Sequence, residues 1–164
     1  MTDPITPSAR LVLKESLGEL RAAVEGVPAE ALNWRPAGEE TNSMAALAIH
    51  VLHGTRSWLS VAVAGTELGG RDRSSEFLAT EDDPGALSRL VDEMSAECAL
   101  LLRDAGEVDW SAMRKIDALA WDSDVREVPA AWAILHALEH LGQHVAHASL
   151  TRQLWVARNG ATDE

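Results

Sequence analysis

Four stretches of the chain repeat apolar residues at intervals of three or four positions, the interval that lines one face of an α-helix. The first predicted helix covers residues 8–24 and ends before Gly26. The second begins at a cap supplied by Asn42 or Ser43 and ends near Gly65. Their apolar faces are formed by Leu13, Leu17, Leu20 and Val24 in the first helix and by Met44, Leu47, Val51, Thr55, Trp58 and Ala62 in the second.

The third and fourth predicted helices each begin at a proline, which is well tolerated in the first turn of a helix. The third begins at Pro84, and the fourth begins at Pro129 and extends to about Arg158. Their apolar faces are Leu87, Leu90, Val91, Met94, Cys98 and Leu101, and then Ile134, Leu138, Leu141, Val145 and Ala148. Residues 106–128 show no convincing period, so we interpret them as a long, partly ordered connection between these two helices.

The remaining internal segments indicate loops. Residues 28–40 combine proline, glycine and charged side chains, and residues 69–83 are polar, both without an apolar period. A chain of 164 residues is long enough to bury one core without a disulfide or a structural metal. The pattern therefore predicts an all-α protein, a four-helix bundle with a long crossover connection before the last helix, and residues 1–164 as a single domain.

The charge balance excludes one large class of partners. Fourteen Lys and Arg against 26 Asp and Glu give a formal net charge of -12, whereas nucleic-acid binding needs clustered cations. The first residues lack the apolar segment of a secretory signal, and no apolar run approaches a membrane span. Cys98 is the only cysteine, which excludes an internal disulfide and fits a reducing compartment. We expect a cytoplasmic protein with no nucleic-acid or membrane partner, in which Cys98 is a buried small hydrophobe.

All six histidines fall in two of the predicted helices. The second helix holds His50 and His53, and the fourth holds His136, His140, His144 and His147. Steps of four, four and three residues place the latter group on one helix face. The axial rise across four residues is about 6 Å, short enough for two imidazoles to share one ion. A third histidine from the other helix would complete a three-histidine metal site with an open position.

Helical phase favours His50 over His53 as that third ligand. Val51 marks the centre of the apolar face, and His50 lies about 100° from it, whereas His53 lies nearly opposite at about 160°. His53 is therefore expected to face solvent. In the fourth helix any two neighbouring histidines fit equally well, and a polar surface helix that happens to use histidine also fits the spacing.

Several short segments form an ordered pattern from the first predicted helix to the end of the fourth. They are Asn33-Trp34-Arg35-Pro36 before the second helix, Asn42-Ser43 at its cap, His50 followed by Trp58-Leu59, and Glu139-His140-Leu141-Gly142-Gln143-His144 with Arg152 downstream. No single segment is specific, but in this order and spacing they resemble the DinB/YfiT-like superfamily of metal-binding four-helix bundles.

The resemblance implies a metal site and its ligands. In that superfamily one histidine of the second helix and an HxxxH pair of the fourth bind a divalent ion, usually zinc or nickel. The matching positions here are His50, His140 and His144. The other three histidines lie outside the motif and are expected to be surface or packing residues. Ala146 stands where many relatives have glycine, and this departure weakens any transfer of substrate specificity.

The resemblance further implies thiol chemistry. Three neutral imidazoles leave the charge of an ion largely uncompensated, so the ion lowers the pKa of a bound water or thiol. Relatives include S-transferases and a maleylpyruvate isomerase that use bacillithiol, mycothiol or glutathione. We therefore expect metal-dependent transfer of a low-molecular-weight thiol to an electrophilic small-molecule substrate. Arg152 is a candidate contact for a carboxylate of that thiol, or else a partner of the helix dipole or of a salt bridge. Glu139 and Gln143 either orient a ligand imidazole or are solvated.

Two other functions stay open at this point. Hydrolysis by a metal-bound hydroxide needs the same ligands and no thiol, and a non-catalytic, stress-related metal-binding protein needs no substrate. Relatives are often homodimers, and the chain offers Trp110, Trp121, Trp132 and Trp155 for an interface. The ion itself is not determined, because imidazole suits zinc, nickel, copper and iron alike.

Overall fold

The computed structural model describes residues 3–66, 71–103, 105–116 and 126–160, and within these ranges the chain forms six α-helices and one short hairpin. The helices are α1 (Ile5–Val24), α2 (Ala29–Asn33), α3 (Met44–Ala64), α4 (Arg73–Glu76), α5 (Pro84–Arg103) and α6 (Ala130–Gly160). The hairpin strands are β1 (Met113–Lys115) and β2 (Glu127–Pro129), and single turns of 3-10 helix lie at Gly38–Glu40 and Ala105–Glu107.

The four long helices α1, α3, α5 and α6 form the bundle. α3 packs against α6 and α5, and α1 packs against the same two helices, so α1 and α3 lie across the bundle from each other. Apolar residues from all four helices merge into one core. The predicted all-α fold class is confirmed, and so are the four predicted helices.

α3 differs from the predicted one-sided helix because it is buried almost all round. Its buried residues include the whole predicted face and also flanking positions such as Ala45, Leu52 and Leu59. Ser43 supplies the predicted cap, since its hydroxyl accepts the N–H of Ala46 at 3.2 Å. Gly65 ends the helix in the left-handed conformation at φ 71°, which glycine adopts without strain.

One helix boundary and two short helices were predicted incorrectly. α1 begins at Ile5 rather than at residue 8, because the Asp3 carboxylate accepts the backbone N–H groups of Ile5 and Thr6 and so caps the helix early. Segment 28–40 contains α2, and segment 69–83 contains α4, although both were predicted to be loops. These helices have five and four residues, too few for an apolar period to be visible in the sequence.

The predicted connection before the last helix is partly ordered. β1 and β2 pair antiparallel, with Arg114 opposite Val128. The pairing brings the two ends of the connection together, where the hairpin contacts α3 and α6. Ile116 is buried against the core, while Leu119 and Trp121 lie outside the described residues. Across the described ranges, no helix combines the length and the apolar character needed to cross a membrane.

Candidate metal centre

Three of the six histidines meet between α3 and α6. One ring nitrogen from each of His50, His140 and His144 lies within 4.8 Å of the other two. The Nε2 atoms of His50 and His140 are 3.2 Å apart, and the ring of His144 lies 4.5 Å from that of His140 and 4.9 Å from that of His50, centroid to centroid. The structure thus brings together the trio that the sequence pattern indicated, and their binding of an ion stays a prediction.

Local packing explains why these three rings converge. His140 and His144 are four residues apart on α6 and therefore lie on one face of it. Opposite them on α3 stands Gly54, where an added Cβ would lie 3.2 Å from Cε1 of His140. The missing side chain gives the His140 ring room to reach His50 across the helix interface.

The environment keeps two of the imidazoles neutral. Burial, together with repulsion from neighbouring histidines and arginines, lowers the pKa of His140 to about 3 and that of His144 to about 4. Neutral imidazole is the form that binds metal, because it keeps a lone pair on one ring nitrogen. The Nδ1 atoms of both rings are buried, and neither has a hydrogen-bond partner in the described part of the chain.

A buried ion pair between Glu76 and Arg71 lies beside His50, and the sequence analysis did not predict it. Oε2 of Glu76, at the end of α4, lies 2.9 Å from Nδ1 of His50, and Arg71 donates to both oxygens of the same carboxylate at 2.9 Å. Burial alone would raise the pKa of Glu76, but hydrogen bonds from His50, His53 and Arg71, with the charge of Arg71, outweigh it and hold this pKa far below its usual range. Nothing in the sequence of segment 69–83 indicated that Glu76 and Arg71 lie beside His50, because α4 has only four residues and shows no apolar period.

The segment that carries Glu76 is tied down by the first piece of the recognised pattern. Arg35 donates to the carbonyl of Phe77 at 2.6 Å, and Asn33 exchanges two hydrogen bonds with the backbone of Glu81. The Phe77 ring stacks on His50 at 4.1 Å between centroids. The Asn33-to-Pro36 motif therefore holds the segment that backs His50.

The three remaining histidines lie around this centre. His53 has 42% of its side chain exposed, largely as predicted, but its Nδ1 is also 3.4 Å from Oε1 of Glu76. His136 packs between Trp58 and Trp132, with centroid distances of 4.8 Å to each. His147 is exposed, one turn beyond the centre.

The other candidate residues are placed as follows. Arg152 lies two turns beyond His144 and donates to the carbonyl of Ala22 on α1, and its role toward a thiol stays a prediction. Gln143 donates to Glu139 on the exposed side of α6, where Glu139 also approaches His136 rather than the three converging rings. Of the two alternatives weighed for Glu139 and Gln143, the structure therefore favours solvated residues over support of a ligand imidazole.

Cys98 is buried against the core, as predicted. Burial, together with the nearby Glu97 charge, raises the pKa of its thiol to about 12. A thiol that stays protonated and inaccessible is not a nucleophile at neutral pH.

A cleft opens beside the centre. It has a volume of about 370 Å³ and is lined by Pro36, Glu40, Thr41, Asn42, Leu47, His147, Leu150, Thr151 and Leu154. His147 connects the cleft to the converging rings, since its ring centroid is 6.1 Å from that of His144. A small molecule in the cleft would contact His147, the neighbour of His144 along this face of α6.

The donor set fits a divalent metal ion. Two ligands at 2.0–2.1 Å from a tetrahedral ion are about 3.3 Å apart, which matches the 3.2 Å between Nε2 of His50 and Nε2 of His140. Three imidazoles are a donor set that zinc, nickel, copper and iron all accept, and they leave at least one coordination position open.

A helical bundle with three histidines converging from its second and fourth long helices defines the DinB/YfiT-like class of proteins. Within that class, the model of the mycothiol-S-transferase family matches residues 9–156, and the chain belongs to this family. The expected thiol-dependent transferase family is thereby confirmed.

A solved structure supports the same fold. The crystal structure of a mycothiol-dependent maleylpyruvate isomerase, in a histidine-to-alanine mutant, matches with a TM-score of 0.62 and 15% sequence identity. The match covers 86% of this chain and 59% of that one, so the present chain spans little more than half the length of the isomerase. No curated protein matches the chain.

Proposed function

We propose that the chain binds one divalent metal ion through His50, His140 and His144 and transfers a low-molecular-weight thiol, mycothiol foremost, to an electrophilic small molecule. The observation that carries the proposal is the convergence of three imidazoles, with one ring nitrogen of each within 4.8 Å of the other two, in a member of the mycothiol-S-transferase family. A bound ion would lower the pKa of the thiol and hold its sulfur as a thiolate.

The protein's own residues contribute the setting for this chemistry. Because the three ligands are neutral, they do not cancel the positive charge that stabilises a thiolate. The cleft beside His144 offers space for the rest of the thiol compound and for its electrophilic partner. The thiol must come from outside the chain, since Cys98 is buried with a raised pKa.

The identity of the ion, the cellular location and the oligomeric state are part of the same proposal. Zinc or nickel is the proposed ion, because both accept imidazole ligands. The cytoplasm is the proposed location, because a low-molecular-weight thiol is kept reduced there. A homodimer is proposed from the apolar side chains of Leu135 and Val156, which α6 leaves exposed outside the cleft, and a monomer mass by light scattering would contradict it.

The first test is elemental analysis and metal titration of the purified protein. We compare the wild type with His50→Ala, His140→Ala and His144→Ala, and we use His147→Ala as the matched control because it changes the same residue type on the same helix outside the trio. Each of the three variants should lose at least about 100-fold in metal affinity, more than is typical for losing an outer-shell partner. Near-stoichiometric metal in all three variants would overturn the assignment.

The second test screens the metal-loaded protein for turnover. Mycothiol, bacillithiol and glutathione are each combined with a panel of electrophiles, with maleylpyruvate among them because the isomerase of similar fold acts with mycothiol. We expect turnover that requires both thiol and metal. Ester hydrolysis without any thiol would favour the hydrolase, and metal binding without turnover across the panel would favour a non-catalytic protein.

A further inference from the structure

The carboxylate of Glu76 contacts the ring nitrogen of His50 opposite the one that faces His140. Its side chain is 4% exposed, and Oε2 lies 2.9 Å from Nδ1 of His50. Nε and Nη2 of Arg71 donate to the two carboxylate oxygens at 2.9 Å each. This bidentate pairing is the geometry of an ionised carboxylate with a guanidinium.

An ionised carboxylate accepts hydrogen bonds and donates none. The 2.9 Å contact therefore requires the hydrogen of a neutral His50 ring to be on Nδ1, which leaves the lone pair on Nε2. Nη2 of Arg71 is also 3.3 Å from Nδ1 and could donate to that nitrogen only if Nδ1 carried a lone pair. That tautomer would place the Nδ1 lone pair 2.9 Å from a carboxylate oxygen of Glu76, so the shorter Glu76 contact decides for Nδ1–H.

We propose that Glu76, oriented by Arg71, is a positioning residue that fixes His50 in its Nδ1–H tautomer and so directs the Nε2 lone pair toward His140 and His144. The inference rests on the metal centre proposed above and names the residue that prepares one of its ligands. A carboxylate that accepts from a metal-binding histidine also raises the basicity of that ligand.

Three further contacts hold this arrangement in place. Phe77 stacks on the His50 ring, and its carbonyl accepts a hydrogen bond from Arg35. Arg71 Nη2 also lies 3.4 Å from the carbonyl of His50 itself, which joins the arginine to α3. The carboxylate therefore has little freedom to turn away from Nδ1.

The test uses Glu76→Gln in the full chain, with Asp82→Asn as the matched control because it removes the same charge from an exposed position on the same segment. Nitrogen NMR of the metal-free protein reports the tautomer of His50, and titration with zinc reports affinity. We expect Glu76→Gln to convert His50 from the Nδ1–H form to a mixture of tautomers and to lower zinc affinity 10- to 100-fold. Asp82→Asn should change neither.

Glu76→Gln leaves Arg71 buried without its charged partner, so the folding of that variant is at risk. The double variant Arg71→Gln, Glu76→Gln removes both charges. We expect it to show the same mixture of His50 tautomers and the same loss of zinc affinity as Glu76→Gln. If both variants keep the Nδ1–H tautomer and the wild-type zinc affinity, the inference is wrong. If the wild type binds no ion while the variants still change the tautomer, the proposed metal function fails and the role of Glu76 stands.

Discussion

The two sides of the bundle differ in whether their polar groups have hydrogen-bond or ion-pair partners. Between α1 and α5, a groove of about 510 Å³ has an apolar floor and polar groups at its rim, where they find partners. Arg21 pairs there with Asp92 and Glu25, and Arg10 donates to the carbonyl of Leu102. Between α3 and α6, by contrast, ring nitrogens of His140 and His144 are buried without partners in the described part of the chain.

This difference separates a stabilising side from a binding side. Burying a polar group without a hydrogen bond costs free energy, so the side that holds such groups gives up some stability. Side chains of α1 and α5 contribute mainly to stability, while α3 and α6 bring three imidazoles together at the proposed metal centre. Variants on each side test that division.

The largest expected effect concerns Cys98, on the stabilising side. With its pKa raised from 9.0 to about 12 by burial, the native thiol should be about 1000-fold less ionised at pH 8 than a free cysteine, and its reaction with a thiol reagent should be slowed at least that much. Because the folded state disfavours the thiolate, the free energy of unfolding should also fall as pH rises from 9 toward 12. Reagent kinetics on native and urea-unfolded protein measure the first effect, and a fast native reaction would show that α5 does not bury the thiol.

Leu20→Ala tests the stabilising role of α1 directly. Leu20 is fully buried, so we expect the free energy of unfolding to fall by about 2–5 kcal/mol, from lost burial and the cavity left behind. Leu11→Ala, at an exposed position of the same helix, should change it by no more than about 0.5 kcal/mol. Urea unfolding measures both. The division would be broken if Leu20→Ala also weakened metal binding in the protein that stays folded.

Gly54→Ala tests the close packing of the binding side. The added methyl gains about 1 kcal/mol of helix propensity but meets His140 and Arg71 at 3.2 Å, which should cost about 1–3 kcal/mol and displace the ligand ring. Gly142→Ala on α6 is the matched control, since its added methyl would meet nothing within 4 Å. We expect the control to be stabilised with unchanged zinc affinity and Gly54→Ala to bind zinc more weakly. Equal zinc affinity in the two variants would contradict this packing argument.

Arg21→Ala is expected to have the smallest effect. The two ion-pair partners of Arg21 are well exposed, so losing these pairs should lower the free energy of unfolding by only about 0.2–1 kcal/mol. The variant also loses the hydrogen bond that Arg21 donates to the hydroxyl of Ser88 at 3.2 Å, a contribution that does not depend on salt. Repeating the urea measurement at high salt should shrink the difference further, because salt screens exposed charges. A salt-independent loss would mean that the groove rim contributes more than exposed ion pairs do.

Much of the fold could be predicted because it depends on local signals. The apolar repeats located the four long helices, and Ser43 and Pro84 marked the starts of two of them. The short helices α2 and α4 carry no repeat, and the early start of α1 depends on one carboxylate at Asp3. That the whole chain is one domain stays a prediction.

The sequence by itself narrowed the metal centre to a few residues, because helical spacing puts all four histidines of α6 on one face and phase places His50 on the flank of α3. The resemblance to the DinB/YfiT-like superfamily then singled out His140 and His144. Only the tertiary structure decided how those rings are prepared. Glu76 and Arg71 lie 26 and 21 residues from His50, and the gap at Gly54 opens toward a ring 86 residues away. Such contacts depend on how helices cross in space, and no repeat along the chain records them.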